Sequence, residues 1–159
     1  MTEIHDDIVV ECPSDEAASY LQEFFARSGE RAGDAVLALK IPVADATLQR
    51  DVLAKLTPRK AEPGFRTLDL SWAPKGGGPY PAFDGTLVLA DRTAATCTLM
   101  LYGRYGPPGG IAGAAFDAVL GKRLAAASLK ALLEVFRTAI ETARKESAAT
   151  AAHYLATYE

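Results

Sequence analysis

Histidine, cysteine, methionine and tryptophan are all scarce in this chain of 159 residues, at two, two, two and one. The shortage of histidine and cysteine removes the usual ligand sets of zinc and iron. His5 and His153 stand in the terminal segments, and Cys12 and Cys97 form no metal-spaced motif. No metal and no cofactor are expected. A Gly-x-Ser-x-Gly elbow is absent, which excludes an ordinary hydrolase triad. Long apolar runs are also missing, none approaching the ~20 residues that span a bilayer. Positive charge is short too: 17 Lys and Arg against 20 Asp and Glu leave a net charge of −3. A nucleic-acid binder needs a concentrated basic face, so no such partner is expected. The acidic N-terminus, Met1-Thr2-Glu3-Ile4-His5-Asp6-Asp7, is not a signal peptide, and a cytoplasmic location is the default expectation.

What the chain does have is alternation. Asp7 to Cys12 reads as an opening strand. Pro13-Ser14-Asp15-Glu16 starts a helix that Ser14 can cap, with Ala17, Ala18, Leu21, Phe24 and Phe25 on one face up to Ser28-Gly29. Five strand candidates follow: Ala35 to Val43, Leu48 to Leu56, Phe65 to Ala73, Tyr80 to Ala90 and Ala95 to Tyr105. Each sets apolar residues on one side and polar ones on the other, the signature of an antiparallel sheet with one wet face. Parity puts Leu68, Leu70 and Trp72 together, then Phe83 and Leu87, then Cys97, Leu99, Leu101 and Tyr105. Cys97 thereby reads as a small hydrophobe.

The period turns helical after Gly106-Pro107-Pro108-Gly109-Gly110. Gly113, Phe116, Leu120, Leu124, Ala127, Ala131, Val135, Ala139 and Ala143 make a stripe that Leu132, Phe136 and Ile140 widen. The fold class is α+β: a curved antiparallel sheet of about six strands wrapped around a long C-terminal helix, with a short helix after the first strand. Residues 1–146 form a single domain, and 147–159 are a helical extension or a frayed tail.

Strand, helix, antiparallel strands and a Pro-Pro-Gly turn into a closing helix is the helix-grip order. At Trp72-Ala73, at Phe83-Asp84-Gly85 and above all from Tyr105 through Pro107-Pro108-Gly109-Gly110 to Phe116-Asp117, the chain resembles bacterial members of the SRPBCC superfamily. That group takes in START lipid-binding domains, polyketide cyclase/dehydrase-like proteins, coenzyme Q-binding proteins and birch-pollen-allergen-type proteins. The resemblance spans most of residues 7–144 and implies an internal cavity, with no catalytic set common to the group. Many members have seven strands and a second short helix, where six strands are counted here.

The glycines at 109, 110 and 113 could present amides to an anion, but without a phosphate-loop lysine they read first as small residues that let the helix lie close on the sheet. Asp117 reads as a helix N-terminal carboxylate. Arg50, Trp72 and Tyr105 share the parity of the apolar face. Arg50 either meets a ligand carboxylate or lies at a sheet edge beside Asp34 or Asp117. Trp72 and Tyr105 are either core or cavity wall, each with one polar handle.

The expected function is a binding or carrier protein for a small hydrophobic molecule, whether lipid, aromatic or polyketide-like. Leu68, Leu70, Trp72, Phe83, Leu87, Leu99, Leu101, Phe116 and Leu120 supply apolar walls, and Tyr105 and Arg50 orient a polar group. Two alternatives stay open: a cyclase or dehydratase using the same cavity, and an interaction module whose core is filled by its own side chains. Met100, Tyr102 and Arg104 on the opposite face suit a homodimer contact.

Overall fold

The computed structural model describes residues 2–29, 34–43, 46–76, 82–106 and 118–158. The chain runs β1 (Thr2–Val10), α1 (Ser14–Ser28), β2 (Asp34–Val43), β3 (Ala46–Glu62), β4 (Phe65–Pro74), β5 (Ala82–Asp91), β6 (Cys97–Gly106) and α2 (Ala118–Tyr158). Among the described residues the six strands form one antiparallel sheet in the order β1-β6-β5-β4-β3-β2. The helix α2 crosses its open side and packs on β1 and β2, the two edge strands. The sheet thus bends around the helix as a half-barrel whose two edges the helix bridges.

β1 and β3 differ most from their expected bounds, the other strands by one or two residues at an end. β1 begins at Thr2 rather than Asp7, because β6 offers a partner along its whole length, from Thr2↔Tyr105 to Val10↔Cys97. Cys12 falls outside the strand, its N–H donating to the Val10 carbonyl at 2.9 Å. β3 runs 17 residues, past the expected end at Leu56. Its first part pairs with β2 and its second with β4, and Pro58 is accommodated at a register shift between Pro58 and Lys60. The hairpin into β4 turns on Gly64, at φ 74°.

The helices also depart from expectation. Pro13 occupies the N-cap of α1 and no side chain caps it locally. The Ser14 N–H donates instead to Asp91 Oδ1 at 2.8 Å, so a carboxylate from the end of β5 does the capping. The buried face of α2 is Leu129, Leu132, Leu133, Phe136 and Ile140. Of the expected stripe, Leu124, Leu132, Phe136 and Ile140 are buried, while Ala127, Ala131, Val135, Ala139 and Ala143 border a surface groove, the first three also packing against the core. Large side chains remove more apolar area than alanine, so they take the core and turn the stripe. α2 continues to Tyr158, a helix of 41 residues, about 60 Å long at 1.5 Å per residue.

The connections divide the half-barrel into two ends. At the closed end α1 buries Ala17, Ala18, Leu21 and Phe25, and Phe25 meets Phe136 of α2 with ring centroids 5.9 Å apart. Polar ties lock this end. Arg144 Nη1 donates to the carbonyls of Glu11 and Ala95 at 2.6 and 3.0 Å, and the Glu11 N–H donates to Glu141 Oε2 at 2.9 Å. Arg66 Nε donates to Asp15 Oδ1 at 2.9 Å. At the other end, the mouth, lie the starts of β1, β3, β5 and α2 and the ends of β2, β4 and β6.

Candidate ligand-binding site

Cross-strand register builds the inner face row by row. The row nearest the mouth runs Ala54–Trp72–Phe83–Tyr105 across β3, β4, β5 and β6. Next comes Leu56–Leu70–Gly85–Gly103–Ile4, and behind it the row containing Leu68, Leu87, Leu101 and Asp6. Leu99 follows, opposite Leu89 and Ile8. All of the leucines expected as walls within the described strands, Leu68, Leu70, Leu87, Leu99 and Leu101, are therefore on one continuous inner surface and belong to the buried core. Phe116 lies outside the described residues, as does the side chain of Leu120. The glycines at 109, 110 and 113 and Asp117 are likewise outside them.

The glycine pair shapes the mouth. Gly85 and Gly103 face each other directly, and the Phe83 ring lies across both: a Cβ on either would come within 2.6 and 2.9 Å of Phe83 Cζ. Backbone is nearer still, with the Tyr102 and Asp84 carbonyl oxygens at 2.3 and 2.4 Å. The missing side chains thus make a shelf for an aromatic ring. Trp72 stacks on that ring at a centroid distance of 4.3 Å and an interplanar angle of 15°. Tyr105, opposite Phe83, completes an aromatic row and is itself buried.

Arg50 stands on β3 opposite Leu39, on the inner parity of Val52 and Ala54 and nearer the mouth than either. β3 pairs with β4 only from Val52 onward, so Arg50 is on a stretch paired with β2 alone, while Asp34 is opposite Lys55, five residues along; Asp117, the other expected neighbour, is outside the described residues. The cross-strand neighbour of Arg50 on β2 is Leu39. Its side chain is half-buried, and its Nε is buried with no hydrogen-bond partner; the same is true of Trp72 Nε1.

One inward group was missed by starting β1 at Asp7. With Ile4, Ile8 and Val10 facing the core, Asp6 shares their parity and is half-buried. The Ile4-Asp6-Ile8-Val10 alternation carries that signal. Asp6 Oδ1 accepts the Asp7 N–H at 2.8 Å.

The ionisable groups that the fold displaces sit at the closed end. Burial pushes the Cys12 thiol up to about 11, with Glu16 reinforcing it, and the Cys97 thiol to about 12, with Cys12 reinforcing it. Both are free thiols. The Ser14 amide holds Asp91 below the ordinary carboxylate value, helped by the Ser14 hydroxyl. Among the described residues no cluster of His, Cys, Asp and Glu could hold a metal ion. Nor is any helix among them long and apolar enough to cross a membrane.

Hollows bounded by described residues open on the outside, among them a small one of about 140 Å³ between α1 and the β3–β4 hairpin that touches Leu68. One of about 890 Å³ runs between α2, Phe24 and Arg27 of α1, and Ala38 and Lys40 of β2. A second, of about 760 Å³, lies on the outer sheet face over His5, Asp69, Asp84 and Tyr102. A third, of about 730 Å³, lies by Asp34 and Lys75. Of the expected wall residues, Leu68 alone lines one of these hollows, the small one. Met100 and Tyr102, the expected outward pair, are exposed on the outer face.

A curled antiparallel sheet, one short helix after β1 and a long helix across the open side define a helix-grip fold. Solved structures share it. A conserved protein from Geobacillus kaustophilus matches with a TM-score of 0.58 and 16% identity, over 92% of this chain and 97% of its own. The Zhui aromatase/cyclase from Streptomyces sp. R1128 matches with a TM-score of 0.53 and 13% identity, over 91% and 93%. A protein from Thermus thermophilus matches with a TM-score of 0.51 and 10% identity, over 89% and 99%. No protein-family model matches the chain, and no curated protein matches it in sequence. At these identities the likeness is one of fold.

Proposed function

We propose that the protein binds a small hydrophobic molecule at the mouth of the half-barrel, between the inner sheet face and the N-terminal part of α2. The aromatic row Trp72–Phe83–Tyr105 carries this reading. It places three large rings side by side on a glycine shelf at the one end where the strands end without a covering α1. An apolar recess with a few polar handles is the usual form of a small-molecule site. The leucines behind the row are the packed floor, and Tyr105 and Arg50 orient the polar part of the guest. The cyclase alternative, the activity named for the Streptomyces neighbour, calls for an acid or base tuned to its task. The row nearest the mouth, Ala54–Trp72–Phe83–Tyr105, contains no carboxylate or histidine, which favours a carrier.

Trp72 is the chain's single tryptophan, which makes its emission a direct reporter of the mouth. Titration with the neutral probe N-phenyl-1-naphthylamine is expected to give saturable, one-to-one binding with quenching of Trp72 and weaker binding in Trp72→Ala. Probe uptake that never saturates, or that leaves Trp72 emission and the variant's affinity unchanged, overturns the assignment. Mass spectrometry of the protein under native conditions then identifies any molecule that co-purifies.

A further inference from the structure

We infer a second site, outside the half-barrel: the groove between α2, α1 and the edge strand β2 takes a single-tailed amphipathic anion, such as a long-chain carboxylate. Its charged head lies at the mouthward end, by Lys40 and Lys130. This groove is the hollow of about 890 Å³, and it shares no residue with the aromatic row. It exists because the flank of α2 turned toward β2 is small. Ala131, Val135 and Ala139 stand there, and Phe24 of α1 and Ala38 of β2 complete an apolar floor. Phe24, Ala131 and Val135 pack one side against the core, which leaves the other as hydrocarbon facing water. Ala38 and Lys40 are exposed, on the opposite parity to the buried Leu37, Leu39 and Ile41, so the groove is on the outer side of β2.

Size selects the occupant. Ala127 and Glu146, the two ends of the groove on α2, are about 28 Å apart at 1.5 Å per residue. Spread over that length, the 890 Å³ leaves a mean cross-section of about 30 Å². A partner helix, about 10 Å across, needs about 80 Å². An added strand with its side chains needs about 4.8 by 10 Å. Neither enters. A single aliphatic chain does, and it covers the floor along its length.

Charge selects its head. The chain carries a net −3, yet Arg27, Lys40 and Lys130 line the groove against Glu134 and Glu146. Glu134 is held by Arg137. Arg27, Lys40, Lys130 and Glu146 make no side-chain ion pair with a described residue. These charges are ordered along the groove. β2 ends and α2 begins at the mouth, so Lys40, beyond Ala38, and Lys130, within a turn of Ala127, mark the mouthward end. Glu146 marks the other end, on the side of α1, and Arg27 is there by Asp34 at the start of β2. A cation and a carboxylate thus offset each other at one end, while two lysines stand unopposed at the other. Asp51, opposite Ala38 on β3, does not line the groove. Lysine presents a compact point charge, so the complement is one negative head on one apolar tail. An amine on the same tail meets like charge.

The test sets dodecanoate against dodecyltrimethylammonium, chains of equal length and opposite charge, each kept below its micelle concentration. Affinity is read in ¹⁵N-correlated spectra from the amides of Ala38, Ala131, Val135 and Ala139, so uptake at the mouth, which Trp72 reports, does not enter it. Dodecanoate should move these amides along one saturable curve, at least about tenfold more tightly than the cation at low salt. The gap should narrow as salt rises. The exposed double variant Lys40→Gln/Lys130→Gln should lose about fivefold for dodecanoate and nothing for the cation. Ala139→Leu fills the groove and should weaken both. Equal affinities of wild type for anion and cation overturn the proposal, and need no variant to fold. So do groove amides that stay in place under dodecanoate, and a double variant that binds it as wild type does. Sedimentation with phosphatidylglycerol vesicles while dodecanoate leaves the groove amides unmoved overturns it in favour of a membrane surface. Each of these failures leaves the mouth reading standing, because Trp72 tests that separately.

Discussion

The two ends of the half-barrel are built from similar materials and finished differently. At the closed end, α1 and α2 press Phe25 and Phe136 together, and polar ties cross between elements: Arg144 with two carbonyls, Glu141 with an amide, Arg66 with Asp15, Asp91 with the Ser14 amide, although the buried Ser14 Oγ has no partner. At the mouth, aromatic rings again stack, but two donors there have nothing to hold. The closed end is held by long-range polar ties between elements, whereas the mouth is held by ring stacking over the glycine pair. An end tied in this way stabilises the fold on its own, and a guest that binds the other adds to stability by mass action.

Substitutions that separate the ends test this. Phe136→Ala removes a fully buried ring from the closed end and should lower stability by about 3–5 kcal/mol in urea unfolding. A loss near zero would mean that the Phe25–Phe136 contact is not a keystone of the closed end. Gly103→Ala acts at the mouth, where the new Cβ would meet the Asp84 carbonyl at 2.4 Å and Gly85 Cα at 2.5 Å. Backbone must shift and the Phe83 ring must leave its shelf, at a cost of about 1–3 kcal/mol. Unlike Phe136→Ala, it should also lower the affinity for N-phenyl-1-naphthylamine, measured where the variant is still folded. Equal binding by Gly103→Ala and wild type would detach the shelf from the site.

Much of the inner face is legible in the chain itself, because β4, β5 and β6 are each paired on both sides and each has one dry face. Period-2 parity then places Leu68, Leu70 and Trp72, or Leu99, Leu101 and Tyr105, without reference to anything distant. What is not legible depends on a partner far along the chain. β1 extends back to Thr2 because β6 is there to receive it, and β3 outruns Pro58 because two neighbours share its length. The cap of α1 comes from Asp91, 77 positions beyond Ser14. Arg50 illustrates the same limit for the site: parity turns it inward, but only the neighbouring strands show that Leu39, not Asp34, is opposite.

Titration sharpens the contrast, since the displaced groups are at the closed end. Folding raises the Cys12 and Cys97 thiols from 9.0 to about 11 and about 12. Above pH 9 the unfolded chain therefore ionises where the folded one does not, and stability falls as pH rises from 9 toward 11–12. Below pH 9 both states are neutral and nothing is lost. The double variant Cys12→Ala/Cys97→Ala should show a shallower alkaline limb in urea midpoints measured from pH 8 to 11. Parallel limbs would show that the two thiols ionise alike in both states.

Asp91 gives the smallest effect and the opposite limb. Its carboxylate accepts the Ser14 N–H, which holds its pKa below the ordinary 3.8. A lowered carboxylate contributes stability that is present in full above 3.8 and fades as pH falls through the folded value. Wild type should therefore exceed Asp91→Asn in stability at pH 6, with the gap closing in acid, as followed by circular dichroism between pH 6 and 2. The gap is small because the carboxylate is exposed and water competes for it. Trp72 emission on probe binding should be the same in both proteins, since the substitution is at the closed end. A gap that persists unchanged to pH 2 would assign it to shape or helix propensity instead of charge. A change in probe affinity would mean that the two ends are coupled, and that α1, held by Asp91, helps set the mouth through α2.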